Sequence, residues 1–232
     1  MSPRTIATAL ATRRRRLGQL LDRRRLRNRG FTLFSNDCWG AEVYKHFNLP
    51  FNTPFIGLML MAPCYLRLLA RPQHYLALPL RFVTESRYSF VNELRARRPE
   101  PFPLATLGEE GQEVEIQFLH YHSEAEAREK WTRRAGRVNW DNLFLKFDGG
   151  KDYATPELVQ RFEALPYPRL TLLPRPQAGI GSAVVVPQYS TDGLVQFGRS
   201  LPYYDLIGWF NEQRVALSWA RRINNALFFA GG

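Results

Sequence analysis

The first thirty residues carry one apolar stripe: Ile6, Leu10, Leu17, Leu20 and Leu21 recur at helical spacing, and arginines fill most of the remaining positions. The spacing predicts a basic amphipathic helix, weakened by Gly18. From Phe31 onward short apolar runs alternate with helical segments. Residues 31–34 read as a buried strand closed by Ser35-Asn36-Asp37, and 41–47 as a short helix. Residues 48–54, rich in proline and asparagine, form a loop; 63–69 is a helix opened by Pro63, 78–83 a strand and 89–96 a helix. Further on, 114–119 is a strand, and the capping box Ser123-Glu124-Ala125-Glu126 opens a helix running to 134. Residues 143–147 give another strand, Thr155-Pro156 caps a helix reaching 164, strands follow at 169–173 and 183–186, and 214–228 is a closing helix. This alternation predicts an α/β layered fold with a largely parallel sheet and helices on both faces. The organisation expected is an arm, residues 1–30, and a single α/β domain, residues 31–232.

Composition narrows the class. With 232 residues, 45% hydrophobic and 23% charged, the chain is an ordinary globular size and mix, which excludes wholesale disorder and coiled-coil rods. The net charge of +11 is concentrated: residues 1–30 hold ten arginines and one acid, Asp22, leaving the body nearly neutral. Such an arm is expected to meet an anionic membrane surface through Arg13, Arg14, Arg15, Arg16, Leu17, Leu20, Leu21, Arg23, Arg24 and Arg25, each arginine contributing on the order of 1 kcal/mol. A solvated arm is the alternative. No specific nucleic acid is expected, because the arm has no aromatic residue to stack on bases. Two cysteines are too few for a disulfide framework, no secretory pattern is present, and no apolar run approaches the length of a membrane span. The expected location is cytoplasmic, peripheral at the inner face of the membrane.

In open α/β sheets, active residues gather on loops leaving the carboxyl ends of strands. One such loop, Ser35 to Gly40, places Cys38 at the start of a helix, where backbone N–H groups favour a thiolate. A second, His120-Tyr121-His122, offers an imidazole suited to proton transfer near neutrality. Cys64 reads as a core residue, His122 as facing the opposite side of the extended chain, and His46 and His74 as helix-surface residues. No metal is expected, since these histidines and a single cysteine lack zinc-ligand spacing. Lys130, Arg133, Arg134 and Arg137 gather at one helix end, suiting either a phosphate or carboxylate ligand or the helix's own C-terminal dipole.

Four ordered stretches carry a family resemblance: Phe31 to Gly40, Leu49 to Phe55, Phe118 to Tyr121, and Lys130-Trp131 with Asn139 to Leu143. Together they resemble a bacterial family catalogued as domain of unknown function 1919, whose members are commonly labelled exopolysaccharide biosynthesis proteins. The resemblance covers roughly residues 30–212 and implies a three-layer α/β sandwich with a largely parallel or mixed sheet. Two positions depart from the family's usual Ser-Asn-Asn-Cys-Trp-Gly-Gly: Asp37 and Ala41 replace the second Asn and the last Gly. An aspartate beside Cys38 raises the thiol pKa.

Carried over position by position, the resemblance implies a site built from Ser35, Asn36, Cys38, Trp39, Gly40, Asn52, Thr53, Pro54, His120, Trp131, Arg137, Asn139, Asp141 and Asn142. The expected activity is a transferase of surface-polysaccharide biosynthesis, an acyltransferase in which Cys38 is the nucleophile and His120 its base. Asn36 and the backbone N–H groups of Trp39 and Gly40 would stabilise the oxyanion, and Asn139 and Asp141 would orient the histidine or sugar. Arg133 and Arg137 would hold a donor phosphate, and Trp39 and Trp131 would stack on a sugar ring. No cofactor is expected to be bound permanently; acyl-CoA or another activated donor would be co-substrate, and a sugar or lipid-linked saccharide the acceptor. Two alternatives stand beside this one: sugar or glycerophosphate transfer without covalent cysteine chemistry, with Asp141 or Asp37 as base, and a non-enzymatic carbohydrate-binding or scaffold protein.

Overall fold

The structure, a computed structural model, describes residues 3–229, with side chains from Ala9 onward. Its centre is a four-stranded, wholly parallel sheet in the order β1 (Thr32–Ser35), β5 (Leu143–Asp148), β6 (Arg169–Leu173), β7 (Ala183–Val185). Along β5, Leu143, Leu145 and Phe147 face one hydrophobic cluster while Phe144 faces the other, the period of two that a sheet covered on both sides requires. One covering layer contains α1 (Pro3–Arg25), α2 (Trp39–Phe47), α8 (Gly193–Ser200), α9 (Leu206–Glu212) and α10 (Trp219–Phe229). The other contains α3 (Ala62–Ala70), α6 (Glu124–Ala135) and α7 (Pro156–Glu163), with α4 (Pro72–Ala77) beside α3.

Between α2 and β5 the chain makes a long excursion that builds a second, antiparallel sheet of β2 (Arg81–Val83), β3 (Leu104–Leu107) and β4 (Val114–Gln117), with α5 (Ser89–Ala96) between its first two strands. The fold is therefore mixed α/β, with a parallel sheet between helical layers and the antiparallel sheet against one of them. The strand expected over 114–119 belongs to the antiparallel sheet, where it pairs with the unexpected β3 and bridges Met59 through Gln117. The two side-chain caps read from sequence are in place: Ser123 accepts from Glu126 N–H and Thr155 from Leu158 N–H.

The closing helix expected over 214–228 begins only at Trp219, and a separate short helix precedes it. Asp205 caps α9 through Gly208 N–H, Gln213 ends it in the left-handed region, and α10 restarts at Trp219. The N-terminal helix forms, but it packs on α10 and α2. A Cβ at Gly18 would lie 2.7 Å from Phe228 Cβ, so glycine here permits close helix contact. The arm's single acid is its anchor: buried Asp22 binds His46 Nε2 at 2.9 Å and Arg221 at 2.6 Å, and Arg221 also reaches Asp205 at 3.2 Å. His46, read as a helix-surface residue, is thus buried, because a carboxylate from another helix supplies its polar partner. The side chain of Ile6 lies outside the described residues.

Candidate active site

Adjacent strands β1 and β5 send their following helices to opposite faces: α2 packs in one hydrophobic cluster and α7 in the other. The connections part there, which is where an open α/β sheet forms a crevice beyond its carboxyl ends. The register pairs Ser35 with Lys146, so Asp37, two residues past β1, meets the lysine from β5. Asp37 Oδ1 accepts from Lys146 Nζ at 2.8 Å, Ser35 Oγ at 3.0 Å and Trp39 N–H at 3.2 Å, while Oδ2 lies 2.9 Å from Lys151 Nζ. Burial alone would raise the Asp37 carboxyl, but Lys146 and Lys151 outweigh it and hold the group well below the usual carboxylate range. Gly193 opens α8 against this carboxylate; a Cβ there would lie 3.0 Å from Asp37 Cγ.

Two further carboxylates complete the cluster. Asp148, buried at the end of β5, accepts from Tyr189 Oη–H and lies 3.6 Å from Lys146 Nζ; burial raises its carboxyl despite that lysine. Asp152 lies 3.8 Å from Lys151 Nζ; burial, reinforced by Asp37 and Asp148, pushes its carboxyl up to about 6. Burial would lower the Lys151 ammonium, but Asp37, Asp148 and Asp152 outweigh it and raise it. Three carboxylates thus share two ammonium groups. Asn36 accepts from Asp148 N–H at 2.9 Å and so ties the two strands, while its Nδ2, like Asp148 Oδ2 and Asp152 Oδ2, has no hydrogen-bond partner among the described residues.

The loop holding Lys151 and Asp152 is strained. Asp152 and Tyr153 have φ of 54° and 63°, consecutive left-handed residues of a kind found where surrounding structure enforces them. Tyr153 is half exposed and tilts against Tyr88 with ring centroids 5.1 Å apart, an aromatic shelf beside the cluster. The strand expected over 143–147 extends to Asp148, and none of its residues is among those expected at the site. Its available signal was Lys146 itself, a charge inside an apolar strand, which demands a buried partner.

The residues expected at the site divide between the two ends of the sheet. Ser35, Asn36, Cys38 and Gly40 lie at the carboxyl end. Asn52, Asn139, Asp141 and Asn142 lie at the opposite end, roughly 13 Å away by strand rise, where Asn52 donates to Phe31 O, Asn139 to Gly30 O, and Asn142 pairs with Asn28. Thr53 is buried and accepts from Phe55 N–H. Asp141 therefore orients nothing at Cys38. Trp39 and Trp131 are core: Trp39 donates to Ser200 Oγ beneath α8, and Trp131 packs on Phe55 and Phe118, so neither presents a face to a sugar. Arg133 pairs with Glu129, Lys130 with Glu126, Arg134 donates to Tyr121 Oη and Arg137 to Phe51 O, so each cation of this helix end has a partner within the chain.

Cys38 is 8% exposed at the start of α2, and its thiol makes no hydrogen bond among the described residues. Burial and then Asp37 push its pKa up to about 12, which is opposite in sense to activation. His120 does not hydrogen-bond to it; the imidazole sits at the rim of a separate cavity of about 620 Å³ with Arg98, Phe102 and His122. Burial, then Arg98 and Lys45, lower its pKa. Among the described residues no group of three His, Cys, Asp or Glu side chains is arranged to hold a metal ion.

Comparison with known proteins brings two likenesses. A family model described as a domain of unknown function, DUF1919, matches residues 11–211. A protein of Haemophilus influenzae, itself described as uncharacterized, is 33% identical over 200 residues, covering 82% of this chain and 88% of its own length.

Proposed function

The chain belongs to the DUF1919 family, and from that premise we propose that it is a group-transfer enzyme acting on a saccharide hydroxyl, without a covalent cysteine intermediate. The observation that carries this reading is Asp152, a mostly buried carboxyl 3.8 Å from Lys151 Nζ where the connections after β1 and β5 part, its pKa pushed up to about 6, which suits proton transfer near neutrality. In the reaction, the Asp152 carboxylate takes the proton of the acceptor hydroxyl. The acceptor oxygen bonds to the transferred sugar carbon or glycerol-bearing phosphorus as the bond to the leaving phosphate breaks, and Lys151 meets the charge arriving on that phosphate. Asp37 holds Lys146 and Lys151 in place, and the Tyr88–Tyr153 shelf offers the sugar ring the aromatic face that the buried tryptophans do not. The surface-polysaccharide setting is part of the proposal and comes from the family resemblance. The cysteine acyltransferase route draws no support from a thiol at about 12 without an imidazole partner.

The test is turnover of nucleoside diphosphate sugars and of cytidine diphosphate glycerol with saccharide acceptors, read as nucleotide release. Asp152→Asn is expected to lower the rate about 100-fold, the scale of a lost general base, while Cys38→Ser leaves it unchanged. Full activity in Asp152→Asn, or an acyl group trapped on Cys38 with acyl-CoA donors, would overturn the reading.

A further inference from the structure

We propose that α1 and α10 together form one docking face for an anionic lipid bilayer. On α1, Leu10, Arg13, Leu17, Leu20 and Arg24 follow one another at spacings of three and four, a single stripe, and all five are exposed, Leu17 by 55%. On α10, Trp219, Ile223 and Leu227 recur every four residues and are exposed as well, Trp219 by 79%. These residues include most of the large apolar side chains exposed among the described residues.

The packing makes the two stripes one surface. The seam between the helices is made on α1 by Arg14, which donates to Leu227 O, and by Gly18, Asp22 and Arg25, and on α10 by Arg221, Asn224 and Phe228. Going round α1 from that seam, Arg23 and Leu26 lie on the side that meets α2 and the core, and the leucine stripe lies on the other. Going round α10, Asn225, which donates to Leu201 O and Tyr204 O, lies toward the body, and Ile223 and Leu227 lie away from it. Both stripes therefore flank the seam on its outer side.

Charge selects the occupant. The only acid among the described residues of the two helices is Asp22, buried and paired, whereas Arg13, Arg16, Arg24 and Arg222 are exposed. An apolar ridge bordered by arginines and ending in an exposed tryptophan complements an anionic headgroup layer over an acyl boundary. A second copy of the same basic face would bring like charges together. No helix among the described residues is long and apolar enough to cross a membrane, so the contact lies on the surface. Of the arm's arginines, Arg14 and Arg25 are engaged by α10 and Arg23 by α2. What α1 loses in free cations is compensated by the apolar residues of α10, which the sequence pattern of the arm does not contain.

The test is co-sedimentation of the full chain with vesicles of phosphatidylcholine containing about one-third phosphatidylserine, against pure phosphatidylcholine. The chain is expected to bind the anionic vesicles at least about tenfold more tightly, and raised salt to weaken binding. Two double variants of exposed residues, Leu17→Glu with Leu20→Glu and Ile223→Glu with Leu227→Glu, are each expected to lower binding about tenfold or more while the circular dichroism melt is unchanged. Loss in the α1 pair alone would overturn the composite face in favour of the arm by itself. Equal binding to neutral and anionic vesicles, or no vesicle binding in a chain that sediments as a dimer split by the α10 pair, would overturn the proposal. None of these readouts depends on the transferase reading.

Discussion

Among the described residues, two clusters of buried charge differ in how their carboxylates are partnered. In the first, Asp22 of α1 has a separate partner for each oxygen, His46 and Arg221, and Arg221 also reaches Asp205 at the head of α9. Burial would raise the Asp22 carboxyl, but His46 and Arg221 outweigh it and lower it. In the second, Asp37, Asp148 and Asp152 share Lys146 and Lys151, and the third carboxylate is left with its pKa raised to about 6. Buried charge by itself marks neither function nor structure. A cluster in which partners lower the buried carboxyl fastens helices together, whereas a carboxyl left raised where the strand connections part stores a proton-transfer group at the expense of stability.

The largest expected effect tests the fastening. Arg221→Ala leaves Asp22 and Asp205 buried without their cation, which is expected to destabilise the fold by about 3–5 kcal/mol in urea denaturation. Hydrogen exchange should then show α1 and α10 opening together. The Asp22 contribution is present above its unfolded pKa, near 4, and disappears as pH falls through the lowered folded value, so acid should remove part of the difference. An Arg221→Ala protein as stable as the parent would show that the cluster holds nothing.

The second cluster predicts the opposite sign. Asp152 prefers its protonated form in the fold, so ionising it as pH rises from about 4 to about 6 reduces stability, and above that range the penalty is constant. Asp152→Asn is therefore expected to stabilise the protein by roughly 2 kcal/mol near pH 7 and by little near pH 4, while turnover falls. Equal destabilisation at both pH values would place Asp152 with the structural cluster instead.

Local signals were legible in the sequence and distant pairings were not. Ser123 and Thr155 announced their helices because a cap is made with an N–H three residues away. Asp37 was legible as a group that opposes a Cys38 thiolate, being its neighbour in sequence. The pairing of Asp37 with Lys146 spans 109 residues and depends on β1 lying beside β5, so no periodicity reveals it. The Asn52, Asn139 and Asp141 motifs suggested one site because motif order along the chain carries no information about which end of a strand a loop occupies. The structure assigns them to the far end, where they join loops. The lone acid in the arginine arm was visible from the start, but its role requires His46 and Arg221, one on each of two other helices.

The smallest effect concerns the seam that the first cluster fastens. In an isolated helix Gly18→Ala would gain about 1 kcal/mol of propensity. Here the new Cβ would lie 2.7 Å from Phe228 Cβ and from the Phe229 ring, so α1 must shift away from α10 or the rings must turn, at a cost of about 1–3 kcal/mol. The net expectation is a loss of about 1 kcal/mol, seen as a lower urea midpoint with an unchanged slope. If Gly18→Ala instead stabilised the chain, α1 would behave as a detached helix, and the seam with Asp22 and Arg221 would not be close-packed in solution.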